Sequence, residues 1–321
     1  QAWAPTIFWL FVGRIFSGIT GASITTASAY IADISDDSNR SKNFGMIGAA
    51  FGLGFIIGPV IGGLLGQFGS RVPFYAAAVL CLVNFAYGYF ILPESLGKEH
   101  RRPFEWKRAN PVGSLLKVRT HPEILKLFIA WFLVYLASHA VQTNWAYFTM
   151  YKFAWDEKTV GISLGVMGAF TAFVQGFLIR KVHPKLGSER SILYGIMFYC
   201  TGMLLFAFAQ KEWMMYAILA IYCLGGIAGP ALQSVISSKV SPKEQGDLQG
   251  ALTSVISITS IIGPLLMTQI FYFFTHPDAK IKLLTLELKP PFQFSGAPFF
   301  LGFVLMAVSA YFVYYVYQRK K

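Results

Sequence analysis

Apolar runs of about 20 residues, the length a helix needs to cross a hydrocarbon core, recur along the whole 321-residue chain. No other feature narrows the fold so far. Inside lipid every backbone N–H and C=O must find its partner within the protein, so such runs become helices. Nine spans are predicted, at 5–32, 43–66, 73–92, 124–150, 159–180, 190–209, 213–238, 247–274 and 297–317. Only 13% of residues are charged, against about 25% in soluble domains. The expectation is an all-α polytopic membrane protein.

The segments between spans alternate in basic content. Of the 27 Lys and Arg residues, 19 fall in 33–42, 93–126, 180–190, 239–246 and 318–321, and seven in the opposite set. The positive-inside rule makes the first set cytoplasmic, so the N-terminus is expected outside and the C-terminus inside. Trp3, Trp155 and Trp213 then mark outer span ends, and Tyr314, Tyr315 and Tyr317 an inner one. The net charge of +12 is thereby an orientation signal, and no nucleic-acid partner is expected. Cys81, Cys200 and Cys223 all lie inside apolar runs, which offers neither a disulfide framework nor metal-ligand spacing.

An internal repeat divides the chain. "GFIIGPVIGG" (54–63) returns as "TSIIGPLLMT" (259–268), 205 residues later, and the same offset sets Gly45 on Gly250. Copies six spans apart imply two six-helix halves. The expected organisation is 1–92 as the last three helices of a first bundle, 93–123 as a basic cytoplasmic linker, and 124–321 as a second six-helix bundle. On this reading about nine of twelve transmembrane helices are present, with three more expected before residue 1.

The stretch 51–69, "FGLGFIIGPVIGGLLGQFG", holds seven glycines and a proline. Gly54, Gly58, Gly62 and Gly66 stand four apart and form one ridge. Helices in lipid associate through close van der Waals approach, which small residues at this spacing permit. Pro59 removes a backbone hydrogen bond and is expected to bend the helix. The predicted role is a smooth seam along which one half-bundle rocks against the other.

Polar side chains inside spans are costly and tend to be functional. Arg14 lies nine residues into the first span, roughly 13 Å deep, and is expected to face the interior and find a partner. Gly18 and Gly21 are expected to bring its helix close to a neighbour. His139, Gln142, Thr143 and Asn144 cluster in the fourth span. His139, Gln142 and Thr143 share a helical face fit to line a cavity, and the imidazole can exchange protons near neutral pH. Gln175 and Gln233 are further polar points. Asp33 sits where a helix dipole disfavours an acid, and pairing with Arg40 or Lys42 is expected. The basic segment 97–119 suits an anionic membrane surface. No P-loop, zinc spacing or Ser-His-Asp arrangement is present, so neither an enzyme nor a metal site is expected.

"GRIFSGITGA" with "AYIADI", "GPVIGG", "GISL", "GGIAGPALQ", "QGDLQG" and "IIGPLL" together resemble the tetracycline/proton antiporters of the major facilitator superfamily. The likeness covers essentially the whole chain. It implies two six-helix bundles around a central cavity, proton-coupled efflux of drug-like or amphipathic small molecules, and no cofactor beyond the proton gradient. It also implies a monomer in a bacterial inner membrane, with protons, a small-molecule substrate and lipid as partners. Carried over by position, Arg14, Gly18 and Gly21 form the fourth-helix motif, and Asp33 joins them as a transport-motif residue. Gly54, Gly58, Pro59, Gly62 and Gly63 form the antiporter motif, with Gly263 and Pro264 as its echo. Gln175 and Gln233 become cavity-facing residues, beside His139, Gln142 and Asn144 on the substrate and proton pathway. Thr171 and Tyr199 stand where tetracycline exporters carry a histidine and an aspartate, and His139 where a glutamine is expected. The alternatives are a metabolite importer on the same fold and a non-transporting membrane protein.

Overall fold

The structure, a computed structural model, describes residues 3–21, 23–36, 39–69, 71–97, 122–241, 244–276, 281–283, 286–290 and 292–318. Helices α1 (Ile7–Ile19), α2 (Ser23–Asp33), α3 (Arg40–Gly66) and α4 (Val72–Phe90) form the first group. The second contains α5 (Pro122–Phe153), α6 (Glu157–Phe173), a π-helical turn Val174–Leu178, α7 (Ile179–Phe208) and α8 (Glu212–Leu224). It continues through a 3₁₀ turn Gly225–Ile227, α9 (Ala228–Ser237), α10 (Gln245–Thr275) and α11 (Ala297–Gln318). Between α10 and α11 an antiparallel hairpin pairs β1 (Ile281–Leu283) with β2 (Leu286–Leu288), Ile281 opposite Leu288.

Among the described residues seven helical stretches are long and apolar enough to cross a membrane. One of them, Lys158–Phe208, contains two of the predicted spans. They join at Gly187, whose φ of 74° departs from helix into a region that glycine enters freely. Helix α3 supplies the remaining predicted span. The first predicted span is divided in two: the Thr20 hydroxyl donates to the Phe16 carbonyl at 2.8 Å, and the chain leaves the helix at Thr20–Gly21. The basic linker 98–121 lies outside the described residues.

The core sits in the second group. Helix α5 packs along α10 and α11, and α11 along α7. Trp131, Trp145, Phe148, Phe206 and Phe299 are the largest fully enclosed side chains there. The rings meet edge to face, Trp145 with Phe206 at 5.2 Å and Phe148 with Phe299 at 4.9 Å, the geometry that ring quadrupoles favour. Polar pairs stitch helices together: Trp145 Nε1 donates to Ser163 Oγ at 2.8 Å, and Ser309 Oγ to the Ala130 carbonyl at 3.0 Å. Small residues let backbones close up, as at Gly195 against Ala228 and Gly202 against Tyr222. By contrast, no residue of α1 or α4 is buried. The expected belt residues Trp3 and Trp213 are exposed, whereas Trp155 is buried beside Phe153 and Tyr216.

Candidate transport pathway

The two groups meet where α3 lies against α6 and the π turn, and where α2 lies against α10. Three glycines make the first contact possible. A methyl group at Gly45 would stand 2.9 Å from the Gln175 carbonyl oxygen, and one at Gly52 would stand 2.9 Å from Ala172 N and 3.0 Å from Gly168 O. At Gly48 it would overlap the side-chain amide of Gln175. The same amide reaches Gly226 on the other side, where an added methyl would lie 3.2 Å from Nε2. Gln175 is thus wedged between a notch in α3 and the 3₁₀ turn that interrupts α8 and α9. The π turn inserts one extra residue into the helical repeat, a device common at functional sites, and carries Gln175 within it. At the second contact Thr25 Oγ1 donates to Thr253 Oγ1 at 3.0 Å.

These contacts correct the expected seam. Methyl groups at Gly54, Gly58, Gly62 and Gly66 would meet nothing within 4 Å. Gly54 and Gly58 lie about 180° and 220° around α3 from Gly45, at 3.6 residues per turn, so they look away from α6. Close approach therefore runs through Gly45, Gly48 and Gly52. In helical register Pro59 and Gly63 continue that face toward the other end of α3; their surroundings, including the expected bend, lie outside the described residues. Helix α6 mirrors the pattern: Gly168 touches α3, while Gly165 and Gly161 have open space. The seam is shut at the end carrying Arg40, Arg180 and Lys181, called here the basic end, and parted beyond.

Arg14 is a second correction. It is exposed on α1, and Gly18 approaches no neighbour, while the atoms nearest Gly21 belong to its own chain at Ser17 and Gly18. Among the described residues none packs around α1 to give the guanidinium an interior to face. Asp33 does not take the expected partner either: its Oδ2 accepts from Ser95 Oγ at 2.9 Å, and its Oδ1 is buried without a hydrogen bond. Arg40 donates instead to the Ser35 carbonyl at 3.1 Å.

The polar cluster of the fourth span is dispersed around α5. His139 is buried, its ring filling the notch at Gly263 on α10. Gln142 is exposed and donates to Ser138 Oγ at 2.9 Å. Asn144 is fully enclosed, with neither amide atom hydrogen-bonded. One hundred degrees per residue separates side chains that are close in sequence, so Asn144 does not share the face of Gln142. Gln233 donates to Gln249 Oε1 at 2.8 Å. Buried Gln245 ties α10 back to α9, accepting from Ser237 Oγ and donating to the Ser237 carbonyl, each at 2.8 Å. Gln245 and Gln249, in the "QGDLQG" run, were not singled out as site residues, although their i, i+4 spacing was visible. Tyr199 lies tilted against Tyr222, ring centroids 4.8 Å apart, and fills the notch at Gly225, and Thr171 faces Cys223.

A two-group helical membrane protein with a glycine-lined seam is one architecture among several until its relatives are considered. The profile of the Major Facilitator Superfamily matches residues 2–264. The chain belongs to that superfamily. Its curated relatives include the class C tetracycline resistance protein of Escherichia coli, 39% identical over 271 residues, which are 84% of this chain and 68% of that protein. The class G tetracycline resistance protein of Vibrio anguillarum is 36% identical over 271 residues, 84% of this chain and 69% of that one. Among solved structures the human organic anion transporter MFSD10 superposes with a TM-score of 0.82 at 20% identity, covering 97% of this chain and 72% of that one. That likeness establishes the major facilitator fold. Within it, α3 carries the first Gly-Pro motif and α10 the second. This is a membrane transporter of the superfamily, not an enzyme.

Proposed function

We propose that this major facilitator exports amphipathic, drug-like small molecules from a bacterial cytoplasm, driven by protons moving inward. The basic end is cytoplasmic on the positive-inside rule. The observation that carries the reading is the seam between α3 and α6: shut at Gly45, Gly48 and Gly52 at the basic end, with open space at Gly165 and Gly161 of α6 beyond. A pathway closed on one side and parted on the other is one of the two states that alternating access requires. The likeness to tetracycline resistance proteins supports this choice of substrate class. Tetracycline itself is one test compound rather than the assumed cargo, because Thr171 and Tyr199 bring no charge to the positions where the resemblance places a histidine and an aspartate.

His139 is the proposed proton carrier within this chain, being an imidazole inside a span at the second Gly-Pro motif. The test is accumulation of tetracycline and of a cationic amphipathic dye in cells expressing the protein, with and without a protonophore. Lower accumulation that the protonophore abolishes supports the reading; equal accumulation in both conditions overturns it. His139→Gln is expected to change the pH dependence of export, and an unchanged profile leaves His139 as a packing group only.

A further inference from the structure

Helices α7 and α11 leave a groove of about 450 Å³ lined by Arg190, Leu193, Tyr194, Met197, Tyr311 and Tyr314. We infer that this groove seats an anionic phospholipid, its phosphate on Arg190 and one acyl chain along Leu193, Met197 and Tyr311. The lining alternates in chemistry along its length rather than around its rim. Arg190 is the one charged residue of the lining, and from there to Met197 the wall is apolar or aromatic. Those seven helical steps rise about 10 Å, the depth over which a glycerol backbone gives way to hydrocarbon.

Three observations select an anionic lipid over an ordinary annular one. Arg190 is exposed and makes no hydrogen bond or ion pair with a described residue, so its guanidinium is free for bidentate phosphate recognition. Glu189, its chain neighbour, acts electrostatically on Tyr317. Tyr314 accepts a hydrogen bond from Gln318 Nε2, which leaves its own hydroxyl proton to give to a phosphate oxygen. Finally, Arg190 closes the segment 180–190, one of those expected on the cytoplasmic side that together hold 19 of the 27 Lys and Arg residues, and basic pockets between membrane helices at such a surface hold anionic headgroups. Tyr194, Met197 and Tyr311 are 47%, 56% and 63% exposed. Apolar side chains left open beside a cation fit an acyl chain under a phosphate. The site is separate from the seam, and its failure would leave the export reading untouched.

The protein purified in neutral detergent is titrated with dioleoyl phosphatidylglycerol, with dioleoyl phosphatidylcholine, and with glycerol 1-phosphate. A ligand bound only by the folded state raises the melting temperature. Phosphatidylglycerol is expected to raise it by roughly 3–5 °C, phosphatidylcholine by less, and glycerol phosphate not at all. Arg190→Gln should keep the lipid-free melting temperature and lose the difference between the two lipids. An equal response to both lipids, or an undiminished difference in R190Q, overturns the inference. A second measurement needs no variant: phosphatidylglycerol carrying a diazirine in its acyl chain is photo-crosslinked to the wild-type protein. Labelled peptides covering 190–197 and 310–314, protected by unlabelled phosphatidylglycerol but not by phosphatidylcholine, support the site. Labelling spread evenly over the exposed helices overturns it.

Discussion

The two Gly-Pro motifs, 205 residues apart, read alike and are used differently. At Gly263 in α10 the absent side chain is replaced by the ring of His139, whereas at Gly58 in α3 nothing comes within 4 Å. Yet α3 does make a close approach, one helical face over, at Gly45, Gly48 and Gly52. A glycine is therefore permission for contact, and the neighbouring helix decides whether the permission is used. In a transporter that changes shape, an unused notch in one state is a candidate contact in the other.

That contrast can be broken most forcefully at Gly48. Gly48→Val would place a branched side chain on the Gln175 amide, and overpacking of this kind costs about 1–3 kcal/mol. Export should fall sharply, and a cysteine placed at Ala172 should become accessible to a membrane-impermeant thiol reagent. Adding Gln175→Ala removes the opposing group, so the double variant should recover part of the loss; simple additivity would show that the two residues do not share the notch. Next in size, Gly263→Val should destabilise the protein in detergent by about 1–3 kcal/mol through displacement of His139, while Gly58→Val should be nearly neutral in stability. If Gly58→Val abolishes export at normal expression and melting temperature, the open notch is occupied in another state. Equal destabilisation by both would erase the contrast.

A smaller effect concerns His183, buried between two spans with Ser188 Oγ 3.3 Å from its Nε2. Burial holds the imidazole below its ordinary 6.5, so below that pH the unfolded chain takes up the proton more readily than the folded one. The contribution of this group to stability is complete above 6.5 and declines as the pH falls toward the lowered folded value. Melting temperatures at pH 7.5 and 5.5 should differ more for the wild type than for His183→Gln; identical losses would mean that other groups dominate.

Most of the helical scaffold was legible because the apolar runs have the length that lipid demands. The interruptions were harder. The 3₁₀ turn at Gly225 falls inside uninterrupted apolar sequence and has Tyr199 and Gln175 packed against it, while the break after Thr20 falls among small and hydroxyl-bearing residues that mark no span end on their own. The site was legible in part. Gln175 was picked out as a polar residue in a span, but nothing local announced the π turn that carries it. The ridge of glycines four apart attracted attention, while Gly45, Gly48 and Gly52, spaced three and four apart, carry the contact. Arg14, Asp33 and Asn144 show the same limit: sequence identifies a polar group that must be accounted for in lipid, but its partner is settled by the fold. For Asn144 that partner is not among the described residues.

From Lys158 to Phe208 the backbone departs from helical dihedrals at one residue, Gly187. There is consequently no slack between the Gln175 wedge and Arg190, only fifteen residues further on. A tilt of α6 has to be absorbed at that one elbow or passed on, which makes the stretch a crank with a single pivot. A membrane surface gripping Arg190, as inferred above, would serve as its bearing and would join bilayer composition to the tilt of α6 through one glycine.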